Sequence, residues 1–506
     1  MTIKNTRSPA GRPGAIRVGS EVEIGFTDLL SNGQAVGRAG GVVVFCFGPL
    51  PQERAIVRIS SIKPKYAVGE LMRLTVGSPH RVVPFCDVFG ACGGCQVQHL
   101  AYSAQLSWKR DVVRGALARI GGFAEVVVRE PIGMAHPRAY RNKMSLVVEH
   151  KFTTPTIGFY QQRSHDVVAI DSCPIVTIPL NDYIARFNRA RMNAETSPAL
   201  LDARHIVARS ARATGESVVT LTSAKPSEAA RLAAPALMKA LPGAVGIVNS
   251  YDLNSANAIM GRKHDTLVGE TEIEEQIDGV RYRVSAGSFF QVNVEIVNRI
   301  FAFMRAGLQQ PRRIVDLYCG AGTFSLFFAK YGSTVFGIEE SPQAVAEAED
   351  NADLNRLQHK VSFLTGKVED VVRTREARDA LKGAQIVFLD PPRKGSDEVT
   401  LGAIASAAPP NIWYLSCDPA TLARDLKFLV AKGYTIGVVQ PFDMFPQTGH
   451  IETLVTLYRE DATPRIGVDE AFADVPDPVW PVEVAEETPQ KPETESEYPD
   501  FVIRED

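Results

Sequence analysis

After Pro311 the chain alternates short apolar strands with helical segments, and this alternation restricts its fold more than any other feature. The strands read as 313–317, 334–338, 385–389, 411–415 and 436–439, with helical spacing between them. Parallel strands need long crossovers, and helices are the usual crossovers. The pattern therefore predicts a doubly wound, mainly parallel α/β sheet of Rossmann-like type. In such sheets ligands gather where the carboxyl ends of the strands meet the following loops, so the residues at those ends are the ones to read for chemistry.

The rest of the chain reads differently. Residues 1–15 are polar and rich in Pro, Gly and Arg, which suits a flexible arm. Residues 16–80 carry short alternating apolar runs, such as Glu21-Val22-Glu23-Ile24 and Val42-Val43-Val44-Phe45, punctuated by Gly33, Gly37, Gly40 and Gly48. They predict a small N-terminal β-barrel. Arg54, Arg58, Lys63, Lys65, Arg73 and Arg81 on its later strands form either a stripe suited to a phosphate backbone or solvated strand faces. Residues 81–285 read as a mixed α+β central domain, opening on a cysteine-rich segment and a helix at about 102–120 that can pack on the α/β domain. The α/β domain spans 286–460. Residues 461–506 carry 14 acidic and 3 basic side chains and seven prolines, the composition of a disordered acidic tail. The formal net charge of −3 then leaves eight surplus positive charges on residues 1–460, which suits a polyanionic partner. Apolar stretches are strand-length and the N-terminus lacks a secretory core, so no membrane span is expected and a cytoplasmic location is.

The strand 313–317 ends in Asp316-Leu317-Tyr318-Cys319-Gly320-Ala321-Gly322-Thr323, directly before a helix. Gly320 and Gly322 permit a tight turn and close approach of a ligand to the N–H groups at the helix start. A dinucleotide fingerprint wants a third glycine at position 325; Ser325 stands there, which disfavours NAD. The next strand ends in Glu339-Glu340, where a carboxylate can accept ribose hydroxyls. Another ends in Asp390-Pro391-Pro392-Arg393. Glycine loop, distal acid and Asp-Pro-Pro in this order resemble S-adenosylmethionine-dependent methyltransferases. Relatives that methylate exocyclic amines carry an aromatic residue after Asp-Pro-Pro, and Arg393 in its place lowers that reading.

Cys417 lies in Tyr414-Leu415-Ser416-Cys417-Asp418-Pro419. Asp418 suits an N-cap and Pro419 the first turn of a helix, so the thiol should sit beside a positive helix end that lowers its pKa, against the charge of Asp418 itself. A ring carbon of uracil is a poor nucleophile. Thiolate attack at C6 turns C5 into an enolate carbon that can take a sulfonium methyl. The adduct then needs a base for the C5 proton. Glu452, in Gly449-His450-Ile451-Glu452, begins the last strand and reaches the same sheet edge; His450 is the competing base. Cys86, Cys92 and Cys95 cluster, and Cys173 precedes Pro174. Without an export signal, four such thiols suit a metal or a cluster better than disulfides. Spacing alone chooses neither zinc nor iron–sulfur, and His99 could replace a thiol in a zinc site.

Ser416-Cys417-Asp418-Pro419-Ala420-Thr421-Leu422-Ala423-Arg424-Asp425, Phe289-Phe290-Gln291-Val292-Asn293, Asp390-Pro391-Pro392-Arg393 and Phe445-Pro446-Gln447-Thr448-Gly449-His450-Ile451-Glu452 together resemble the RNA uracil-5 methyltransferase family, over roughly residues 17–460. Its members act on 23S ribosomal RNA or on the T-loop of transfer RNA. The resemblance implies Cys417 as nucleophile and Glu452 as proton acceptor. It lines the S-adenosylmethionine site with Gln291, Tyr318, Glu339 and Asp390, beside Gly320 of the glycine loop. It further implies a 4Fe–4S cluster on Cys86, Cys92, Cys95 and Cys173, as in the ribosomal RNA enzymes, and a barrel resembling the RNA-binding TRAM domain. Two residues depart from the family pattern: Asp418 replaces an asparagine, and Lys367 leaves a contact to the adenine unassigned. Phe289 and Phe290 are candidates to stack on a base. The expectation is a monomeric enzyme that flips a uridine of 23S ribosomal RNA into the sheet-edge pocket and methylates C5. The alternatives are a transfer RNA enzyme with the same chemistry and a non-catalytic RNA-binding or assembly factor.

Overall fold

The computed structural model describes residues 16–461 apart from 153, 256, 257 and 309. The predicted arm, and the predicted tail beyond Asp461, lie outside the described residues. Strands β1 (Glu21–Leu29), β2 (Gln34–Ala39), β3 (Val42–Phe47), β4 (Arg54–Ile62) and β5 (Tyr66–Val76) close into a barrel in the order β1-β2-β3-β5-β4. Alternation turns Ile24, Phe26, Val44, Val57 and Ile59 into its core, and closure leaves no free sheet edge. The basic stripe is less free than its sequence implies. Strand β4 lies antiparallel to β1, so Arg54 pairs with Glu23 at 2.9 Å and Arg58 with Glu21 at 3.0 Å, while Arg81 pairs with the buried Glu53 at 2.6 Å. Half of the six predicted phosphate contacts are thus already matched by acids brought from elsewhere in the chain.

In the central region β6 (Lys143–Glu149), β7 (Thr156–Tyr160), β8 (Val167–Ala169), β9 (His205–Ser210), β10 (Ser217–Thr222), β11 (Ala244–Tyr251) and β12 (Lys263–Gly269) form one mixed sheet, ordered β12-β11-β10-β9-β6-β7-β8. The helices Ile178–Ala190 and Glu228–Lys239 bury Leu180, Ile184, Phe187 and Leu237 against it. A hairpin of β13 (Glu272–Ile277) and β14 (Val280–Ser285) then turns on Asp278-Gly279, both left-handed (φ 49° and 73°), the geometry whose twist suits a two-residue turn.

The catalytic-side sheet comprises β15 (Arg313–Leu317), β16 (Thr334–Glu339), β17 (Val361–Thr365), β18 (Ile386–Leu389), β19 (Asn411–Ser416), β20 (Thr435–Phe442) and β21 (Glu452–Tyr458). Their order is β17-β16-β15-β18-β19-β21-β20. The doubly wound expectation is met, with one strand added: β17, an edge strand whose residues are half-buried or exposed, lacks the continuous apolar run that marks its neighbours. Strand β21 runs antiparallel to both β19 and β20. Because it runs backwards, its first residue, Glu452, stands at the edge where the parallel strands end.

The helix Tyr102–Ala116 continues through a wider π-helical turn, Leu117–Gly121, and stops at Gly122 with φ 82°. Its Val113 and Ala116, with Leu117, enter the same core as Leu317, Leu389, Leu422 and Leu426, so it covers one face of this sheet. Trp108 Nε1 donates to Leu29 O at 2.8 Å, which ties the same helix to the barrel. Among the described residues no helix is long and apolar enough to cross a membrane.

Candidate active site

The glycine loop leaves β15 by a left-handed turn: Tyr318, Gly320 and Gly322 have φ 66°, 54° and 79°. At Gly322 an added Cβ would meet Ala348 at 3.1 Å, whereas at Gly320 it would meet no protein atom within 4 Å, so the open side of the loop is at Gly320. Gly320 N donates to Glu339 Oε2 at 3.1 Å, and Ser341 N to Glu339 Oε1 at 2.9 Å. Two adjacent strand ends are thereby joined through one carboxylate, which keeps further lone pairs for ligand hydroxyls. Tyr318 hydroxyl bonds Ser396 Oγ at 3.0 Å and links the loop to the segment that follows Asp390. Gln291 is held through its backbone: Asn142 Nδ2 donates to Gln291 O at 3.1 Å and Asn142 N to Val292 O at 2.9 Å. Of the two aromatic candidates, Phe290 is core, 3 % exposed and against Tyr282, while Phe289 is 77 % exposed.

Asp316 was not among the predicted site residues, yet it belongs to this carboxylate group. It is buried beneath the loop, accepts from Ser325 Oγ at 2.5 Å, and its pKa is pushed up to about 8 by burial, against the Ser325 bond, with the charges of Asp390 and Glu339 adding to the rise. The only sequence signal was its place two residues before Tyr318. Asp316, Asp390 and Glu452 crowd at this sheet edge with raised pKa values, so a cationic ligand there would favour their ionised forms.

Cys417 follows β19 and precedes the helix Pro419–Val430. Asp418 caps that helix, accepting from Ala420 N and Thr421 N at 2.9 Å each, as its sequence predicts. The expected lowering of the thiol pKa is not found. Burial raises it to about 12, and the charges of Glu452 and Asp390 add to the rise; Arg393 works the other way. A helix end contributes a fraction of a charge, and here two carboxylates and desolvation outweigh it. Glu452 is itself pushed well up, first by burial and then by Asp390, with Arg393 opposing, and burial raises Asp390 too. His450 is driven the opposite way, down to about 4, by burial and by Arg393, Lys109 and Arg141. A neutral imidazole among cations is a poor proton acceptor, so of the two candidate bases Glu452 is the more basic.

Asp425 explains why the Cys417 and Asp390 segments stay in register. Its buried carboxylate accepts from Tyr414 hydroxyl at 2.7 Å and Ser396 N at 2.8 Å, while Arg424 reaches back to Lys394 O at 2.9 Å. Thr421 Oγ1 donates to Arg393 O at 3.2 Å. A surface cavity of about 430 Å³ lies elsewhere, at the opposite edge of β15–β17, lined by Arg313, Thr334, His359, Lys360 and Asp379 among others; it holds none of the residues above.

The chain's matches to known proteins follow this geometry. The tRNA (uracil-5-)-methyltransferase family model matches residues 101–460 and the TRAM domain model matches residues 16–72. The chain belongs to the tRNA (uracil-5-)-methyltransferase family. As a member it is an RNA methyltransferase with a TRAM domain at its N-terminus. It is 34 % identical to an RNA methyltransferase of Clostridium acetobutylicum over 88 % of this chain and 98 % of that one. It is 37 % identical to an RNA methyltransferase of Halalkalibacterium halodurans over 86 % of this chain and 96 % of that one. The solved structure of Pyrococcus abyssi tRNA (uracil-54, C5)-methyltransferase in complex with S-adenosyl-L-homocysteine is similar at TM-score 0.68 and 26 % identity, covering 86 % of this chain and all of that one.

In this family member the four clustered cysteines are free thiols. Burial raises Cys95 to about 12 and Cys173 to about 11, and each feels the charges of Cys92 and Cys86. Among the described residues, however, no group of three or more His, Cys, Asp or Glu is arranged to hold a metal ion. His99 is buried against the Phe89 ring, with no hydrogen-bond partner for either ring nitrogen among the described residues.

Proposed function

We propose that this methyltransferase transfers a methyl group from S-adenosylmethionine to C5 of a uridine in 23S ribosomal RNA. The observation that carries the reading is the meeting, at one sheet edge, of a thiol and two carboxylates that sense one another's charge. S-adenosylmethionine supplies an electrophilic methyl group and, on its sulfonium sulfur, a positive charge. Gln291, Tyr318, Gly320, Glu339 and Asp390 bind it. Ribose hydroxyls meet Glu339, and the open side of Gly320 admits the ligand backbone.

Cys417 as thiolate forms a bond to C6 of the flipped uracil, which places the electron pair needed for methylation on C5. The thiol rests protonated, and cationic charge in the pocket, including Arg393, favours its ionisation. C5 takes the methyl group as its bond to the sulfonium sulfur breaks and S-adenosylhomocysteine leaves; Glu452 as carboxylate then removes the C5 proton, the C5–C6 double bond re-forms, and the bond from sulfur to C6 breaks to return the Cys417 thiolate. Phe289, exposed beside Gln291, stacks on the base. Cys86, Cys92, Cys95 and Cys173 would hold a 4Fe–4S cluster in this reading, which rests on the family resemblance and on thiols that feel one another's charges, not on a preformed metal site. The cluster braces the segment before the helix Tyr102–Ala116, because methyl transfer itself moves no electron. The enzyme acts as a cytoplasmic monomer.

Ribosomal RNA is the first choice because barrel and cysteine quartet together resemble the ribosomal RNA enzymes. A transfer RNA substrate is the second reading, favoured by the Pyrococcus enzyme. Mapping 5-methyluridine by mass spectrometry in both RNAs from a deletion strain separates them. Loss of a site in 23S RNA with transfer RNA unchanged is expected; loss confined to transfer RNA moves the substrate to the second reading. Persistence of every 5-methyluridine overturns the assignment.

A further inference from the structure

The loop 443–451 joins β20 to β21 and delivers Glu452, yet most of what grips it comes from the N-terminal part of the chain. Gln447 stands at its bend with φ 70°, left-handed for a residue with a side chain, a backbone state that persists only where the surroundings impose it. Five hydrogen bonds impose it here. Gln105, 1 % exposed, makes two of them: its Oε1 accepts from Gln447 N at 3.1 Å and its Nε2 donates to Gln447 Oε1 at 2.9 Å. Gln96 N and Val97 N donate to Gln447 O at 3.0 and 3.1 Å, and Gln447 Nε2 donates to Pro137 O at 3.4 Å.

Neighbouring anchors have the same origin. Lys109, fully buried, pairs with Asp443 at 2.5 Å and donates to Phe445 O at 3.1 Å, while Tyr102 hydroxyl donates to Asp443 at 2.9 Å. Tyr140 hydroxyl donates to Pro446 O at 3.0 Å. Gly449 packs so tightly on the turn between β1 and β2 that an added Cβ would lie 1.7 Å from Ser31 O. The barrel turn, the cysteine segment and the helix Tyr102–Ala116 therefore all press on this loop. Glu452 is the first residue of β21, so strand pairing secures it on one side and the loop on the other.

We propose that Gln105 is a positioning residue for proton abstraction: through Gln447 it fixes the loop that delivers Glu452, so the N-terminal half of the molecule sets the geometry of the last chemical step. The proposal rests on the function stated above. It assigns Gln105 no part in attack by Cys417 or in methyl transfer. The groups of those steps stand on β15–β19 and the loops that follow them, whereas the base for deprotonation is delivered by the loop 443–451 itself.

The test compares wild type with Gln105→Met, which keeps the side chain's length and loses both bonds to Gln447 together with those from Nε2 to Val97 O and Leu100 O. RNA containing 5-fluorouridine carries fluorine in place of the C5 proton, so it stops the reaction before elimination. It should trap the variant as fully as wild type. On ordinary RNA the variant should turn over on the order of 100-fold more slowly, the effect of a misplaced reacting group. It should also accumulate a denaturant-stable, methylated protein–RNA adduct that wild type does not. Parallel loss of trapping and turnover without that adduct means a merely structural role and overturns the proposal. If Gln105→Met does not fold, Gln447→Gly, which suits the left-handed backbone, keeps the backbone N–H bond to Gln105 Oε1 and removes the side-chain bonds to Gln105 Nε2 and Pro137 O, is held to the same two outcomes. Failure of wild type to be trapped is a distinct result: it overturns the methylation reading and the proposal with it.

Discussion

Arg393 acts on both reacting groups at once. Its charge opposes the rise in pKa of the Cys417 thiol and of the Glu452 carboxyl, both of which must lose a proton in the proposed mechanism. Replacing it by leucine removes that opposition and lets both climb further. A nucleophile and a base whose pKa values rise are active only at higher pH, so the ascending limb of kcat/KM against pH should move upward in Arg393→Leu. Activity below that limb should fall about tenfold for each unit of displacement. A pH–rate profile that superimposes on wild type contradicts this electrostatic role. The sequence showed Arg393 only as a departure from the amine-methylating pattern. Its influence on Cys417 and Glu452 depends on folding, because 24 and 59 positions separate it from them.

At the scale of elements, the helix Pro419–Val430 shows what local sequence carries well. Asp418 and Pro419 mark its start, and both occupy the positions their chemistry suits. Asp418→Ala should therefore cost about 1 kcal/mol of stability, and Asp418→Asn close to none, as measured by denaturant midpoint. An alanine variant as stable as wild type would show that the cap bonds contribute nothing. The parallel strands were legible for a similar reason, since a buried strand is a continuous apolar run. Strand β17 was not, because an edge strand buries too little to leave that mark. The ion pairs of Arg54 and Arg58 with Glu23 and Glu21 depend on the pairing of β4 with β1 and leave no local trace. Glu452 was found at the right edge because it opens a strand; that this strand runs antiparallel, which is what brings it there, came only with the fold.

Across the whole molecule, the barrel and the methyltransferase sheet are joined through the helix Tyr102–Ala116 and the loop 443–451. The cysteine segment lies at that junction. Protein purified without oxygen should contain iron and sulfide near four each per chain and absorb visible light. A colourless protein carrying one zinc would replace the cluster with a metal ion. Neither result touches the central claim, which is covalent catalysis by Cys417. That claim is tested most directly by incubating the enzyme with S-adenosylmethionine and RNA containing 5-fluorouridine, then looking for a protein–RNA band that survives denaturation. Wild type should form it and Cys417→Ala should not; a band that persists in Cys417→Ala, or one that never forms with wild type on either RNA class, contradicts the account.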